Sequence, residues 1–174
     1  DGSYSVTVTQ TDAAGNTSLA GAPLTFMIDS AAPLSIATIT AITNDSGASS
    51  SDFVTDDPTL LISGSNSPLA VGEAVQVSLD GGATWASTTP VTATSWGFDN
   101  STATLPDGAY SFQTRVIDAA GNTGAVSSQA VAIDTTAPAA TSSITAISTD
   151  SGTAGDFVTS DNTLAISGAN TALG

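Results

Sequence analysis

The 174-residue sequence contains no histidine and no cysteine, and Arg115 is its one basic residue. It therefore lacks an imidazole for general base catalysis, a thiol for nucleophilic attack and a lysine amine for Schiff-base chemistry. Without clustered basic residues, neither nucleic acid nor an anionic membrane surface is an expected partner. We predict that the protein is not an enzyme.

Long apolar runs and aromatic residues are also scarce. No stretch approaches the ~18 consecutive apolar residues of a membrane-spanning helix, so direct membrane insertion is not expected. The lack of cysteine excludes a disulfide framework, so an extracellular domain with this sequence needs another means of stiffening. Apolar residues still make up 40% of the sequence, which is enough for a core and excludes a disordered acidic tail.

Aspartate, in contrast, is abundant. The formal charge is −15, and fifteen of the sixteen acidic residues are aspartates. Aspartate favours turns and helix caps, and its carboxylate binds hard cations such as calcium. Together with many serine, threonine and glycine residues, this composition is typical of β domains with short strands.

An internal repeat with a spacing of about 105 residues organises the sequence. An Asp-x-x-Ala-Pro segment marks the boundary between copies. We predict three parts: 1–31 is the C-terminal part of a preceding repeat, 32–136 is one complete repeat, and 137–174 is the N-terminal part of the following repeat. The recurring blocks pair 1–4 with 107–110, 12–17 with 118–123, 29–33 with 134–138, 39–47 with 144–152, and 52–64 with 156–168.

Strand-like alternation of apolar and polar residues runs through each copy, and no helical periodicity is present. Tyr110, Phe112 and Val116, for example, share one face of a predicted strand. The predicted fold class is all-β, an immunoglobulin-like antiparallel β-sandwich in tandem repeats of about 105 residues. Tyr110 is either the tyrosine corner of such sandwiches or an ordinary core tyrosine. The predicted strands of the complete copy are 36–43, 59–64, 74–79, 83–87, 91–98, 109–118 and 126–134.

Four motifs carry a resemblance to a known family: the Asp-x-x-Ala-Pro linkers, the Asp-Ala-Ala-Gly-Asn loops, and the segments 78–85 and 105–110. They resemble the bacterial immunoglobulin-like tandem repeats of giant adhesins exported by type I secretion, the repeats-in-toxin and biofilm class. The resemblance implies a structural extender, outside the cell at the bacterial surface, whose partners are the neighbouring repeats of the same chain. It also implies calcium at the junctions between repeats, and an adhesion target that is bound outside this segment.

Aspartates are concentrated where successive copies would meet. In this topology the last loop of a copy (118–125, between its final two strands) lies at its N-terminal end, and the first loop (44–58, between its first two strands) lies at its C-terminal end. A junction would gather oxygen ligands from the first loop of one copy, the linker and the last loop of the next, which suits Ca²⁺. The alternative is that these residues form Asx-turns and that the charge serves solubility. The candidate calcium ligands are Asp118, Asn122, Asp134, Asp29, Asp12, Asn16, Asp45 and Asp150, whereas Asp80 and Asp107 are expected to be turn residues.

Other functions remain open from the sequence. A carbohydrate- or receptor-binding module needs an exposed aromatic platform, for which Trp85 is the candidate. The alternative is that the tryptophans pack in the core, as a lone tryptophan in a sandwich usually does. A strand-complemented fibre subunit would complete its partial copies with strands from neighbouring chains. A hydrolase that uses Asp56 and Asp57 is disfavoured, because adjacent side chains diverge rather than converge.

Overall fold

The computed structural model describes residues 1–172, which form strands and loops without a helix. The all-β class predicted from the sequence is confirmed, and no helix in this range could cross a membrane. The chain divides into two compact units, Asp1–Thr135 and Thr136–Gly174. Residues 173 and 174, which belong to the third predicted part, lie outside the described residues. The division into one complete and two partial repeats stays a prediction.

The two units together contain thirteen strands in the described residues. Those of the first unit are β1 (Gly2–Val6), β2 (Leu24–Ile28), β3 (Ala37–Ile42), β4 (Val54–Thr55), β5 (Leu61–Asn66), β6 (Ala74–Ser78), β7 (Ala86–Ser87), β8 (Thr89–Thr92), β9 (Ser95–Asp99), β10 (Gly108–Ile117) and β11 (Ser127–Ile133). Those of the second unit are β12 (Ser142–Ile147) and β13 (Ile166–Asn170).

The complete copy is a sandwich of two sheets. One sheet has four strands in the order β3-β5-β9-β8, and the other has five in the order β4-β11-β10-β6-β7. Neighbouring strands are antiparallel except β4 and β11, which pair in parallel. The predicted antiparallel immunoglobulin-like sandwich is therefore confirmed.

The core lies between these sheets, and its largest side chain is Trp96 on β9, which is 1% exposed. Its indole covers Gly64 on β5. A Cβ atom at Gly64 would lie 2.2 Å from the ring carbon Cζ2 of Trp96 and 2.2 Å from the carbonyl oxygen of Thr38. Glycine is needed here for space, and Trp96 has the core role that a lone tryptophan is expected to have.

Two polar side chains hold the sandwich at specific points. The hydroxyl of Thr114, fully buried on β10, donates across the core to the carbonyl oxygen of Ala37 on β3 at 2.7 Å. The hydroxyl of Tyr110 donates to the carbonyl oxygen of Pro106 at 2.7 Å. A tyrosine near the start of this strand that bonds to backbone a few residues upstream has the geometry of a tyrosine corner, so that alternative applies.

Strands β3 and β11 run in the same direction in opposite sheets. At their starts, Pro33 lies against Gly124, which precedes β11. At their ends, the hydroxyl of Thr55, which pairs with Ile133, donates to the carbonyl oxygen of Asn44 just after β3. The chain therefore enters the sandwich at one end and leaves it at the opposite end.

The single strand predicted at 91–98 is wrong. The structure has a hairpin of β8 and β9 there, which turns between Thr92 and Ser95. No glycine, proline or asparagine marks this turn. Hydroxyl groups close it instead: Thr92 Oγ1 lies 2.6 Å from Ser95 Oγ and accepts from the amide of Thr94 at 3.3 Å. The short strand β4 inside the first loop was also not predicted.

The remaining strands form two hairpins, each in its own unit. In β1–β2 the rings of Tyr4 and Phe26 stack with centroids 5.7 Å apart. Phe26 and Ile28, which correspond by the repeat to the buried Val131 and Ile133, are 43% and 47% exposed. In the second unit, β12 pairs with β13 in the register that β3 and β5 have, with a bulge at the same place.

Candidate functional site

The last loop of the complete repeat is closed by Asp118. Its Oδ1 accepts from the amides of Ala120 at 2.9 Å and Asn122 at 2.8 Å, and its Oδ2 accepts from the side-chain amide of Asn122 at 2.9 Å. The hydrogen bond from the Asn122 side chain is the main reason that the pKa of Asp118 is lowered. Asp12 and Asn16 make the same bonds in the β1–β2 hairpin, where the pKa of Asp12 is also lowered, mainly by the Asn16 side chain.

The linker that precedes the complete repeat lies against this last loop. The side-chain amide of Asn122 donates to the carbonyl oxygen of Asp29 at 3.0 Å, while the carboxylate of Asp29 accepts from the amide of Ala31 at 3.1 Å. Pro33, four residues further on, is buried. The structure thus brings together three of the predicted site residues, Asp29, Asp118 and Asn122.

The first loop, at the opposite end, is built around Asp45. Its Oδ2 accepts from the amide of Phe53 at 3.1 Å, and its Oδ1 is buried without a hydrogen-bond partner. Phe53 has a φ of 62°, a left-handed conformation that is strained for a bulky residue. A turn with a purely structural role needs neither an unsatisfied carboxylate oxygen nor a strained backbone. These two features therefore distinguish this loop from an ordinary turn.

Asp134 follows β11 and lies beside the first loop. Its amide donates to the carbonyl oxygen of Thr55 at 2.9 Å, and the side chain of Thr55 is 2% exposed. The remaining aspartates of the loop have local partners, since Ser46 donates to Asp56 at 2.7 Å and Asn44 donates to Asp57 at 2.8 Å. Asp45 and Asp134 are therefore at the same end of the repeat, opposite Asp29, Asp118 and Asn122.

The second unit repeats the first loop. Asp150 accepts from the amide of Gly155 at 2.6 Å through Oδ2, and its Oδ1 is again buried without a partner. Phe157 again has a left-handed φ, of 59°. The hydroxyl of Thr159 donates to the carbonyl oxygen of Thr149, as Thr55 does to Asn44 in the complete repeat. The two loops therefore share the left-handed φ and the unpartnered oxygen, but Asp150 and Asp45 accept from amides at different positions of the loop.

The sequence model of the family described as bacterial Ig-like domain matches residues 33–135, more than half of the chain. The chain belongs to the bacterial Ig-like domain family. The matched region ends at the residue where the first compact unit ends.

A similar solved structure is described as the crystal structure of a tetra-tandem repeat in the extending region of a large adhesion protein. It is 18% identical, covers 100% of this chain and superposes with a TM-score of 0.37, which is too low to support an argument about function. The chain spans about half, 46%, of the length of that structure. No curated protein matches the sequence.

Two aspartates of this bacterial Ig-like domain chain hold the linkers: Asp107, which was predicted to be a turn residue, and Asp1, for which no role was predicted. Asp107 Oδ1 accepts from the amide and hydroxyl of Thr135 at 2.9 and 2.7 Å. Asp1 makes the same pair of bonds to Ser30, at 3.0 and 2.7 Å. The signal for these contacts is present in the sequence, because an Asp-Gly pair and a hydroxyl residue after the linker aspartate recur together.

Calcium, which the resemblance implies, has a partial fit to these residues. The donors are hard carboxylate, amide and carbonyl oxygens, which suit this ion, and the buried Oδ1 atoms of Asp45 and Asp150 have no hydrogen-bond partner. Within residues 1–172, however, no group of three or more acidic side chains is arranged so as to hold a metal ion. A complete ligand set would need backbone oxygens or residues of a further repeat.

The other candidate sites have structural explanations. Asp80 is a turn residue as expected. Its carboxylate accepts from the hydroxyl of Thr84 at 2.6 Å, from the backbone amide of Thr84 at 2.9 Å and from the hydroxyl of Ser78 at 2.7 Å. These bonds, first of all that from the Thr84 hydroxyl, lower the pKa of Asp80 to about 2. Trp85 is half-buried, and the guanidinium carbon of Arg115 lies 4.1 Å from the centre of its ring, so Arg115 covers one face of the indole.

Proposed function

We propose that the chain is a spacer segment of a bacterial cell-surface adhesin, whose tandem Ig-like repeats extend a distant binding domain away from the cell. The observation that carries this proposal is the end-to-end path of the chain. The linker enters the complete repeat at Pro33, and the chain leaves at Asp134 at the opposite end. Repeats connected in this way add length.

We further propose that calcium stiffens the junctions between repeats. The residues that would hold it are Asp29, Asp118 and Asn122 at the junction before the complete repeat, and Asp45 and Asp134 at the junction after it. When bound, the ion would neutralise the repulsion between carboxylates at a junction. For a Kd of ~10⁻⁵ M and calcium near 10⁻² M, binding would stabilise the folded protein by about 4 kcal/mol.

The repeat of the first loop in both units supports this assignment. Asp45 and Asp150 carry the same unpartnered buried oxygen, and Phe53 and Phe157 carry the same strained φ. Such strain costs about 1–3 kcal/mol per residue and persists where the surroundings or a ligand hold it in place. Asp12 and Asn16 would serve the junction on the far side of the preceding repeat.

The test is a chain with at least two complete repeats, studied by thermal unfolding and small-angle X-ray scattering in millimolar calcium and in excess chelator. The spacer proposal predicts an extended particle whose maximum dimension grows by a constant increment for each added repeat. A compact particle would contradict it. The calcium proposal predicts a lower Tm and a more flexible particle in chelator, and identical melts and scattering profiles would refute it.

A further inference from the structure

We infer that Gly124 and Asn122 form a seat for the preceding linker, which fixes the junction without a metal ion and which only some junctions of the array can have. This inference rests on the proposed spacer function, because the orientation of neighbouring repeats has a role only in a string of repeats. It is independent of calcium, because every contact that carries it joins two parts of the chain directly.

Gly124 provides the space for the linker. A Cβ atom at this position would lie 2.8 Å from the carbonyl oxygen of Pro33, and 3.4 Å from the Cβ of Pro33 and the carbonyl oxygen of Ser35. Two of these three atoms belong to the backbone and cannot rotate away. Unlike Gly121, Gly124 does not have a positive φ. Glycine is therefore required at this position by the approach of the linker, not by the conformation of the loop.

The corresponding loop of the preceding repeat has a serine, Ser18, where the complete repeat has Gly124. This loop has the same fold: the amide of Ser18 donates to the carbonyl oxygen of Gln10 at 2.8 Å, as the amide of Gly124 donates to that of Val116 at 2.8 Å. By the repeat, Ser18 stands at the position of Gly124, where a Cβ would lie 2.8 Å from the carbonyl oxygen of Pro33. A linker placed as Pro33 is would collide with the serine side chain, so the two copies cannot receive their linkers in the same way.

Asn122 provides the polar contact of the seat. Its side-chain nitrogen donates both to the carbonyl oxygen of Asp29 and to Oδ2 of Asp118. The residue therefore connects the linker to the loop through its two N–H groups. A calcium ligand at this position would use the side-chain oxygen instead. Substitution by aspartate separates these two roles, because it keeps the oxygen, removes both donors and places a carboxylate against that of Asp118.

The experiment is backbone ¹⁵N relaxation of the 174-residue chain in excess chelator. We expect the amides of Ala31, Ala32, Leu34 and Ser35 to have order parameters near the rigid value of about 0.85 in the unaltered chain. In Gly124→Ser and in Asn122→Asp they should fall below about 0.6, as in flexible segments. Ala125→Ser, which adds a hydroxyl to the exposed neighbouring residue, is the matched control and should leave the linker rigid.

The folded state of each variant is checked by the amide signals of Trp96 and Phe112, which lie in the core and should keep their dispersion. A mobile linker in the unaltered chain, or a rigid one in Gly124→Ser, would overturn the seat, and a rigid linker in Asn122→Asp would remove Asn122 from it. Repeating the measurement in calcium separates the two proposals. If the unaltered linker is rigid only in calcium, the calcium proposal holds and the seat does not exist.

Discussion

Gly64→Ala should be among the most destabilising single-methyl additions in the complete repeat. The added Cβ would lie 2.2 Å from both the Trp96 ring and the Thr38 carbonyl oxygen, against about 3.4–4 Å for ordinary contact. Trp96 is 1% exposed, so its ring is enclosed by the core. Overpacking of a well-packed core costs about 1–3 kcal/mol and occasionally more, and an overlap with both a ring and the backbone belongs at the upper end.

A loss of about 3 kcal/mol should lower the Tm by about 12 °C or more, because each kcal/mol shifts the Tm of a domain of this size by roughly 4–8 °C. Differential scanning calorimetry and urea unfolding, followed by tryptophan fluorescence, measure the two quantities. Gly97→Ala on the neighbouring strand β9 is the matched control. Its Cβ would meet Val91 and Ile62 at 3.7 and 3.9 Å, so a change below about 1 kcal/mol is expected.

Trp96→Phe tests whether the indole is the cause. The smaller ring should leave room for the added methyl group, so the double variant should be more stable than the sum of the two single effects predicts. Contacting residues commonly show interaction energies of about 0.5–3 kcal/mol in such cycles. A Gly64→Ala variant with an unchanged Tm, or a strictly additive double variant, would refute the reasoning.

Three further predictions follow from polar groups. Thr114→Val should cost about 1–3 kcal/mol in urea unfolding, because the buried carbonyl of Ala37 loses its donor, whereas the exposed Thr40→Val should change stability by less than about 0.5 kcal/mol. Tyr110→Phe removes the bond to Pro106 and should cost about 0.5–1.5 kcal/mol, measured in the same way. In acid, the lowered pKa of Asp80, about 2 when folded, means that the unfolded chain binds more protons. The Asp80 carboxylate stabilises the folded state fully above about pH 4, and this stabilisation is lost as the pH falls toward 2. The urea midpoint should therefore drop in this window, and it should drop less in Asp80→Asn.

The sandwich could be predicted because the sequence patterns that specify its strands and turns are local. Alternation along 109–118 identifies β10 and its buried face, and Asp80, followed by two glycines, identifies a turn. The hairpin at 89–99 was missed because hydroxyls of Thr92 and Ser95 replace the usual turn residues. Such side-chain closure has no distinctive composition in a sequence as rich in threonine and serine as this one.

The candidate site was predictable in position but not in chemistry. The spacing of the repeats correctly indicates that Asp29 and Asn122 lie near each other, although 93 residues separate them. It does not indicate that Asn122 donates through its nitrogen, or that Gly124 makes room for Pro33. Those facts depend on how the linker lies over the loop, which no local pattern records. The left-handed φ of Phe53 was equally hidden, because phenylalanine has no preference for it.

The shared direction of β3 and β11 determines how the repeat responds when its two linkers are pulled apart. Tension at Pro33 and Asp134 runs along these strands, whereas the hydrogen bonds between antiparallel strands are perpendicular to it and those between parallel strands are slanted. The bonds that join β11 to β10 over Ser127–Ile133, and those to β4, are therefore sheared together and not opened one after another. A repeat pulled in this way resists through its unfolding rate more than through its equilibrium stability. A chain of such repeats can then stay extended under a sudden force that exceeds what slow unfolding would tolerate.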